Sequence, residues 1–162
     1  MPFNSIGICV ILLIVANGAP VIATDIFKNH FQFPIDGGHR FFDGRPWLGH
    51  SKTWRGVIAA ILTTTLVAKL FSFDWQFGIL FAGLAMTGDL LASFSKRRIG
   101  ISVSGRARLL DQLPESILPV LLLRDSLGLS LSDVVIVVAV FTLLDLLVSP
   151  LLYRLHIRRR PY

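Results

Sequence analysis

Charged side chains are scarce in this sequence: they make up 16% of its 162 residues, against 53% hydrophobic, and the mean hydropathy is +0.67. Water-soluble domains carry nearer one quarter charged residues, so the composition argues for lipid as solvent. Cysteine is nearly absent. Cys9 is the single copy, which excludes an intrachain disulfide, and its apolar neighbourhood suits a small buried hydrophobe better than a reactive thiol. No Lys or Arg precedes the first apolar run, residues 6–16, and the apolar character continues through Val21, Ile22 and Ala23. A retained first span is expected there, not a cleaved signal peptide. No GxxxxGKS/T loop occurs, which excludes a P-loop. His30, His39, His50 and His156 lack paired metal-ligand spacing, which argues against zinc. There is no internal repeat and no low-complexity tract.

What is present is long apolar segments. A span needs about 20 mostly apolar residues, fewer where polar groups face a bundle interior. Five segments qualify, at 5–23, 56–71, 75–94, 109–123 and 134–153. The expected fold is therefore an all-α, polytopic membrane protein of about five transmembrane helices, forming one domain over 1–162. The fourth segment is short and holds Asp111, Pro114, Glu115 and Pro119, so a kink or a protein-lined environment is expected. Residues 24–55 form a connection too long for a simple turn, and long ordered loops are more often functional.

Sixteen Lys and Arg face ten Asp and Glu. In a soluble chain that surplus would suggest nucleic acid; here no nucleic-acid partner is expected, and the surplus reads as basic flanks of spans or a phosphate site. With five spans, all the basic residues except Lys69 and Arg124 fall on one face. The bias orients the chain in the cell membrane with its N-terminus outside and its C-terminus and long loop cytoplasmic. Trp47, Trp54, Trp75 and Tyr153 lie near span ends, where amphipathic rings prefer the interface.

Ionisable residues within spans are costly and are candidates for function. Asp89, Ser93 and Arg97 in the third span follow i, i+4, i+8 and share a face, with Lys96 one residue to the side. About 12 Å of helix axis separates Asp89 from Arg97. A nucleoside triphosphate with a divalent cation bridges such a distance, the carboxylate holding metal and the basic groups taking phosphates. The competing reading is an aspartate neutralised by a neighbouring helix beside an ordinary basic flank. Asp111 and Glu115 again share a face and return towards Asp89 after a short connection; the helix dipole explains such acids as well. The loop FPIDGGHRFFDGRPWLGHSKTWRG combines glycines with cations, which suits close approach to an anion or a solvated basic loop. Asn17 either bonds across helices or faces a cavity, and Asp145, with no motif around it, is expected to have a structural partner. An ion relay through Asp89, Glu115 and Asp145 would call for inverted repeats, which the sequence does not show.

Four segments, ANGAP, PIDGGHRFFDGRPWLGHSKTWRG, GDLLASFSKRRIGI and LLDQL, in this order over roughly residues 16–118, resemble the CDP-archaeol synthase family, which is related to the phosphatidate cytidylyltransferases. The resemblance implies a five-span enzyme that moves CMP from CTP to a membrane lipid phosphate and releases pyrophosphate, with Mg²⁺ (or Mn²⁺) as cofactor. It implies Asp89 and Asp111 as metal ligands, Ser93, Lys96 and Arg97 as phosphate contacts, and Asp36, Gly37, Asp43 and Lys52 as loop residues closing over nucleotide or lipid phosphate. Asn17 joins the substrate-binding set. The family pattern places an acid directly after DQL; here Pro114 stands there with Glu115 next, and Glu115 is taken as the replacement ligand. Archaeal and bacterial-type lipid phosphates, and an inactive relative, stay open at this point.

Overall fold

A computed structural model describes residues 2–103 and 107–154, with side chains described from residue 5 to 147 apart from position 108. Arg106, the Arg108, Tyr153 and Arg154 side chains, and the basic tail Arg158–Arg160 lie outside this description. The elements are α1 (Pro2–Phe27), α2 (Trp54–Leu70), α3 (Trp75–Arg98), α4 (Arg108–Leu122), α5 (Arg124–Leu127) and α6 (Leu131–Arg154). Each of the five expected segments is one helix, and the four-residue α5 is a turn between α4 and α6, closed by Gly128 in the left-handed region. Helix α4 continues through both Pro114 and Pro119. Ser5–Phe27 and Trp75–Arg98 are each long and apolar enough to cross a membrane.

The helices form a ring. Each of α1 to α4 packs on the next, and α6 closes the circle against α4 and α1. Small residues set the tightest crossings, as in lipid, where close backbone approach takes the place of a hydrophobic drive. A Cβ at Gly78 would lie 2.6 Å from the Thr65 Cα, and a Cβ at Gly88 would lie 2.2 Å from the Pro114 carbonyl oxygen and 2.6 Å from the Glu115 Cα. Gly88 is therefore what lets α3 and α4 meet beside Asp89. The outer surface is the complement. Ile58, Leu62, Leu66 and Leu70 form an exposed stripe along α2, while Ala60, Thr64 and Ala68 on its other face are buried. A stripe of this kind faces lipid, not water. Away from the loop, Cys9, Leu12, Leu13, Phe81, Val120, Val137 and Phe141 make the buried core. Cys9 is thus the packed hydrophobe expected from its surroundings.

The long connection is ordered. Its ends pair through Ile35 N–H to the Lys52 carbonyl (2.9 Å) and Trp54 N–H to the Phe33 carbonyl (3.1 Å), and Thr53 caps α2 by accepting from the Gly56 N–H. The loop is also latched to the end of α3. The Arg98 guanidinium lies over the Phe41 and Phe94 rings at 4.5 and 4.9 Å and donates to Asp43 (2.8 Å) and the Pro46 carbonyl (2.5 Å). Arg45 donates to the Arg97 and Arg98 carbonyls, capping α3.

Gly88→Ala should destabilise the detergent-purified protein by about 1–3 kcal/mol, the usual cost of overpacking. Gly83→Ala, where a Cβ meets nothing within 4 Å, is the control and should be neutral or slightly stabilising. Equal melting temperatures for the two variants would show that the α3–α4 crossing is loose.

Candidate active site

One polar cavity of about 610 Å³ opens between α1, α3 and the start of α2, under the long loop. Its volume lies within the range of small-molecule sites. Helical spacing turns Asp89, Ser93, Lys96 and Arg97 of α3 into it, the loop end contributes Lys52, and α1 contributes Asn17. Six of the residues singled out from the sequence thus line a single space.

Charge in this space is paired across elements. Lys52 Nζ donates to both carboxylate oxygens of Asp89 at 2.6 Å, the two side chains being 24% and 21% exposed. Lys96 Nζ lies 2.5 Å from Asp111 and joins α3 to α4. Asn17 donates to Glu115 at 2.8 Å and joins α1 to α4, so Asn17 both bonds across helices and faces the cavity. Gln112 donates to Asp145, the structural partner expected for that acid. Arg97 is 3% exposed, and its Nη1 is buried without a hydrogen-bond partner among the described residues.

The other loop residues singled out as site candidates, Asp36, Gly37 and Asp43, do not line the cavity. Asp36 accepts from the Gly38, Leu48 and Gly49 N–H groups at 2.8–3.0 Å. Burial pushes its carboxyl up, but these backbone donors outweigh it and hold it below the usual carboxylate range. Gly37 serves the same turn with φ +56°, and Asp43 belongs to the Arg98 latch. These three shape the loop that delivers Lys52 and do not themselves face the nucleotide-sized space. Sequence reasoning passed over Thr24, Asp25, Gln32, His50, Ser51 and Arg55, which also line it. The signal for the first was available: Asn17, Val21 and Thr24 recur at helical spacing.

The three proposed metal ligands are not gathered at one point. Among the described residues no three His, Cys, Asp or Glu side chains could hold a metal together. Asp89 and Asp111 are each paired with a lysine, and Glu115 is bonded to Asn17. The donor chemistry still fits magnesium, which takes one or two carboxylates and completes its shell with substrate phosphates and water. A second cavity of about 660 Å³ lies between α1, α2 and α6, lined by Ile14, Ile22, Phe27, Phe141 and Leu144. It shares Asn17 and Val21 with the polar one.

The profile of the CarS-like CDP-archaeol synthase family matches residues 5–73 and 73–162. A CDP-archaeol synthase of Hyperthermus butylicus is 42% identical over 118 residues, covering 69% of this chain and 67% of the relative. One from Sulfurisphaera tokodaii is 34% identical over 156 residues, covering 92% and 90%. A solved structure, described as an intramembrane enzyme for archaeal membrane lipid biosynthesis, superposes with a TM-score of 0.74 at 31% identity, over 87% of this chain and 90% of that one. With its matched helices, loop and charged cavity, the chain belongs to the CDP-archaeol synthase family and is a membrane enzyme.

Proposed function

We propose that the protein transfers CMP from CTP to an archaeol-type lipid phosphate, giving a CDP-activated lipid and pyrophosphate. The observation that carries this is one cavity lined by the Lys52–Asp89 pair and, about two turns along α3, by Lys96 and an Arg97 nitrogen with no hydrogen-bond partner among the described residues, joined through Asn17 to an apolar cavity. All five long helices cross the bilayer in this reading, with the N-terminus outside and the loop and C-terminus cytoplasmic. CTP then enters from the cytoplasm and the lipid from the side, its chains along α1, α2 and α6.

A lipid phosphate oxygen attacks the α-phosphorus of CTP, and the bond from that phosphorus to the bridging oxygen of the β-phosphate breaks. The attacking group is already an ionised phosphate, so no protein nucleophile or base is required. The protein contributes position and charge. Lys52 and Lys96 exchange their carboxylate partners for phosphate oxygens, Arg97 takes a phosphate, and Ser93 offers a hydroxyl between Asp89 and Arg97 on the same helix face. Asp89 and Asp111, released from their lysines, would hold Mg²⁺ or Mn²⁺, which supplies Lewis-acid charge neutralisation when bound. Glu115 acts at one remove, by fixing Asn17 where the two cavities meet.

Turnover of CTP by purified protein should stop with EDTA and return with Mg²⁺ or Mn²⁺. Asp89→Asn or Asp111→Asn should lower kcat on the order of 100-fold or more while the protein stays folded, as loss of a transition-state contact does. Arg97→Ala should mainly raise the KM for CTP. Asp145→Asn should lower the melting temperature and leave chemistry nearly unchanged. If Asp89→Asn and Asp145→Asn behave alike, or chelation has no effect, both aspartates are structural and the reading fails.

A further inference from the structure

Residues 39–47 of the long loop form a β-hairpin. Phe41 N–H donates to the Arg45 carbonyl at 2.8 Å, Gly44 N–H to the Phe41 carbonyl at 2.9 Å and Trp47 N–H to the His39 carbonyl at 3.2 Å, and Arg40 pairs with Pro46 across the two arms. Gly44 takes φ +73°, the left-handed residue that closes a short hairpin turn. Phe42 and Asp43 stand at the tip. Asp43 turns back to Arg98. Phe42 does not: it is fully exposed, and its ring centroid lies 5.1 Å from that of Phe41. Trp47, also exposed, meets Phe41 from the other arm at 5.7 Å, so the tip and one arm present a continuous aromatic surface.

The hairpin lies on the outer side of α3, away from the polar cavity. Phe41 and Trp47 pack on the Phe94 ring at 5.5 and 6.4 Å. Leu80, Thr87, Leu91 and Phe94 recur at helical spacing on one face of α3, where Leu80 and Leu91 are each 51% exposed. Asp89, Ser93 and Lys96, which line the cavity, are on the other. An apolar stripe of this kind on a membrane helix faces lipid, and it sets the depth of the hairpin. Trp75, exposed at the first residue of α3, sits where an indole prefers the interface. About 28 Å of helix axis separates it from Phe94, close to the ~30 Å thickness of a hydrocarbon core. Phe94 therefore lies where hydrocarbon gives way to headgroups, and the hairpin is carried at that level.

We propose that this hairpin is a membrane anchor: Phe42, with Trp47 beside it, enters the bilayer boundary at the loop end of α3, and the exposed Arg40 meets lipid phosphates. Aromatic rings favour that depth, and a basic side chain near an anionic lipid surface adds attraction. Asp43 does not oppose this, since Arg98 neutralises it. The anchor reaches the site through the backbone. Leu48 and Gly49, directly after the hairpin, donate to Asp36, and Lys52 follows. The loop that delivers Lys52 is thus clamped from two sides, by Arg98 and by the bilayer. This rests on α3 crossing the membrane and not on the identity of the reaction.

The test uses full-length protein in nanodiscs of phosphatidylcholine and phosphatidylglycerol, with a nitroxide on Phe42→Cys, Leu91→Cys or Asp125→Cys. Cys9 is 0% exposed, and unsubstituted protein checks that it stays unlabelled. The Asp125 side chain is 90% exposed and serves as the reference in water. The label at position 42 should collide with oxygen in preference to a water-soluble nickel chelate, with a ratio several-fold above that at position 125 and approaching that at 91. Trypsin gives a second reading. Phe42→Asp should speed cleavage after Arg40 in nanodiscs at least about tenfold, because the released hairpin opens more often, with an unchanged melting temperature in detergent. Phe42→Trp should keep the wild-type rate. A label as wet at 42 as at 125, with position 91 in lipid, overturns the inference and leaves the spans standing; a wet label at 91 overturns both. Shielding of position 42 only as the protein is concentrated in detergent, without shielding in nanodiscs, would put a second copy on the hairpin and overturns it as well. So does equal cleavage of the wild type and both Phe42 variants.

Discussion

Charge inside a helix bundle in lipid must be neutralised, and the architecture of this enzyme follows from how that is done. Removing one partner of a buried ion pair costs about 3–5 kcal/mol, because the other charge is left stranded. Each acid of the bundle interior has its partner on a different element: Asp89 with Lys52 of the loop, Asp111 with Lys96 of α3, Glu115 with Asn17 of α1 and Gln112 of α4 with Asp145 of α6. The pairs therefore act as staples as well as as a site. They join the helices within the bundle. In the proposed function, the same cations turn to phosphate when one arrives.

The loop makes this exchange specific in position. Lys52 is long and flexible, and its usefulness depends on the backbone that carries it. Asp36 fixes the turn through three backbone donors. Arg98, between two aromatic rings and Asp43, ties the turn to the end of α3. One short stretch of α3 thereby supplies Ser93, Lys96 and Arg97 to the cavity and Arg98 to the scaffold beneath it. Gly88 sets the other boundary by allowing α4, with Asp111 and Glu115, to approach at backbone contact.

Much of this was legible in the residues. Apolar length located the five long helices to within a few residues, because a lipid environment imposes a coarse and strict pattern. Helical spacing put Asp89, Ser93 and Arg97 on one face, and they share one cavity. What was not legible was pairing at long range. Nothing in the loop sequence says that Asp36 and Asp43 are spent on loop geometry while Lys52, between them and α2, is the residue that reaches Asp89. The expected three-carboxylate metal centre is likewise not assembled, since spacing along α4 cannot show that Asn17 claims Glu115 and Lys96 claims Asp111. The α1 end of the cavity was missed because Thr24 and Asp25 sit at the end of an apolar span, where a polar residue looks like a boundary.

The central claim is that Lys52 leaves Asp89 for a phosphate. Titrating CTP into the metal-free, detergent-purified protein tests it by sign. Lys52→Met should weaken CTP binding, and Asp89→Asn should strengthen it, because the lysine no longer has a carboxylate to give up. If both substitutions weaken metal-free binding, or neither changes it, the ion pair is only structural and the account is wrong.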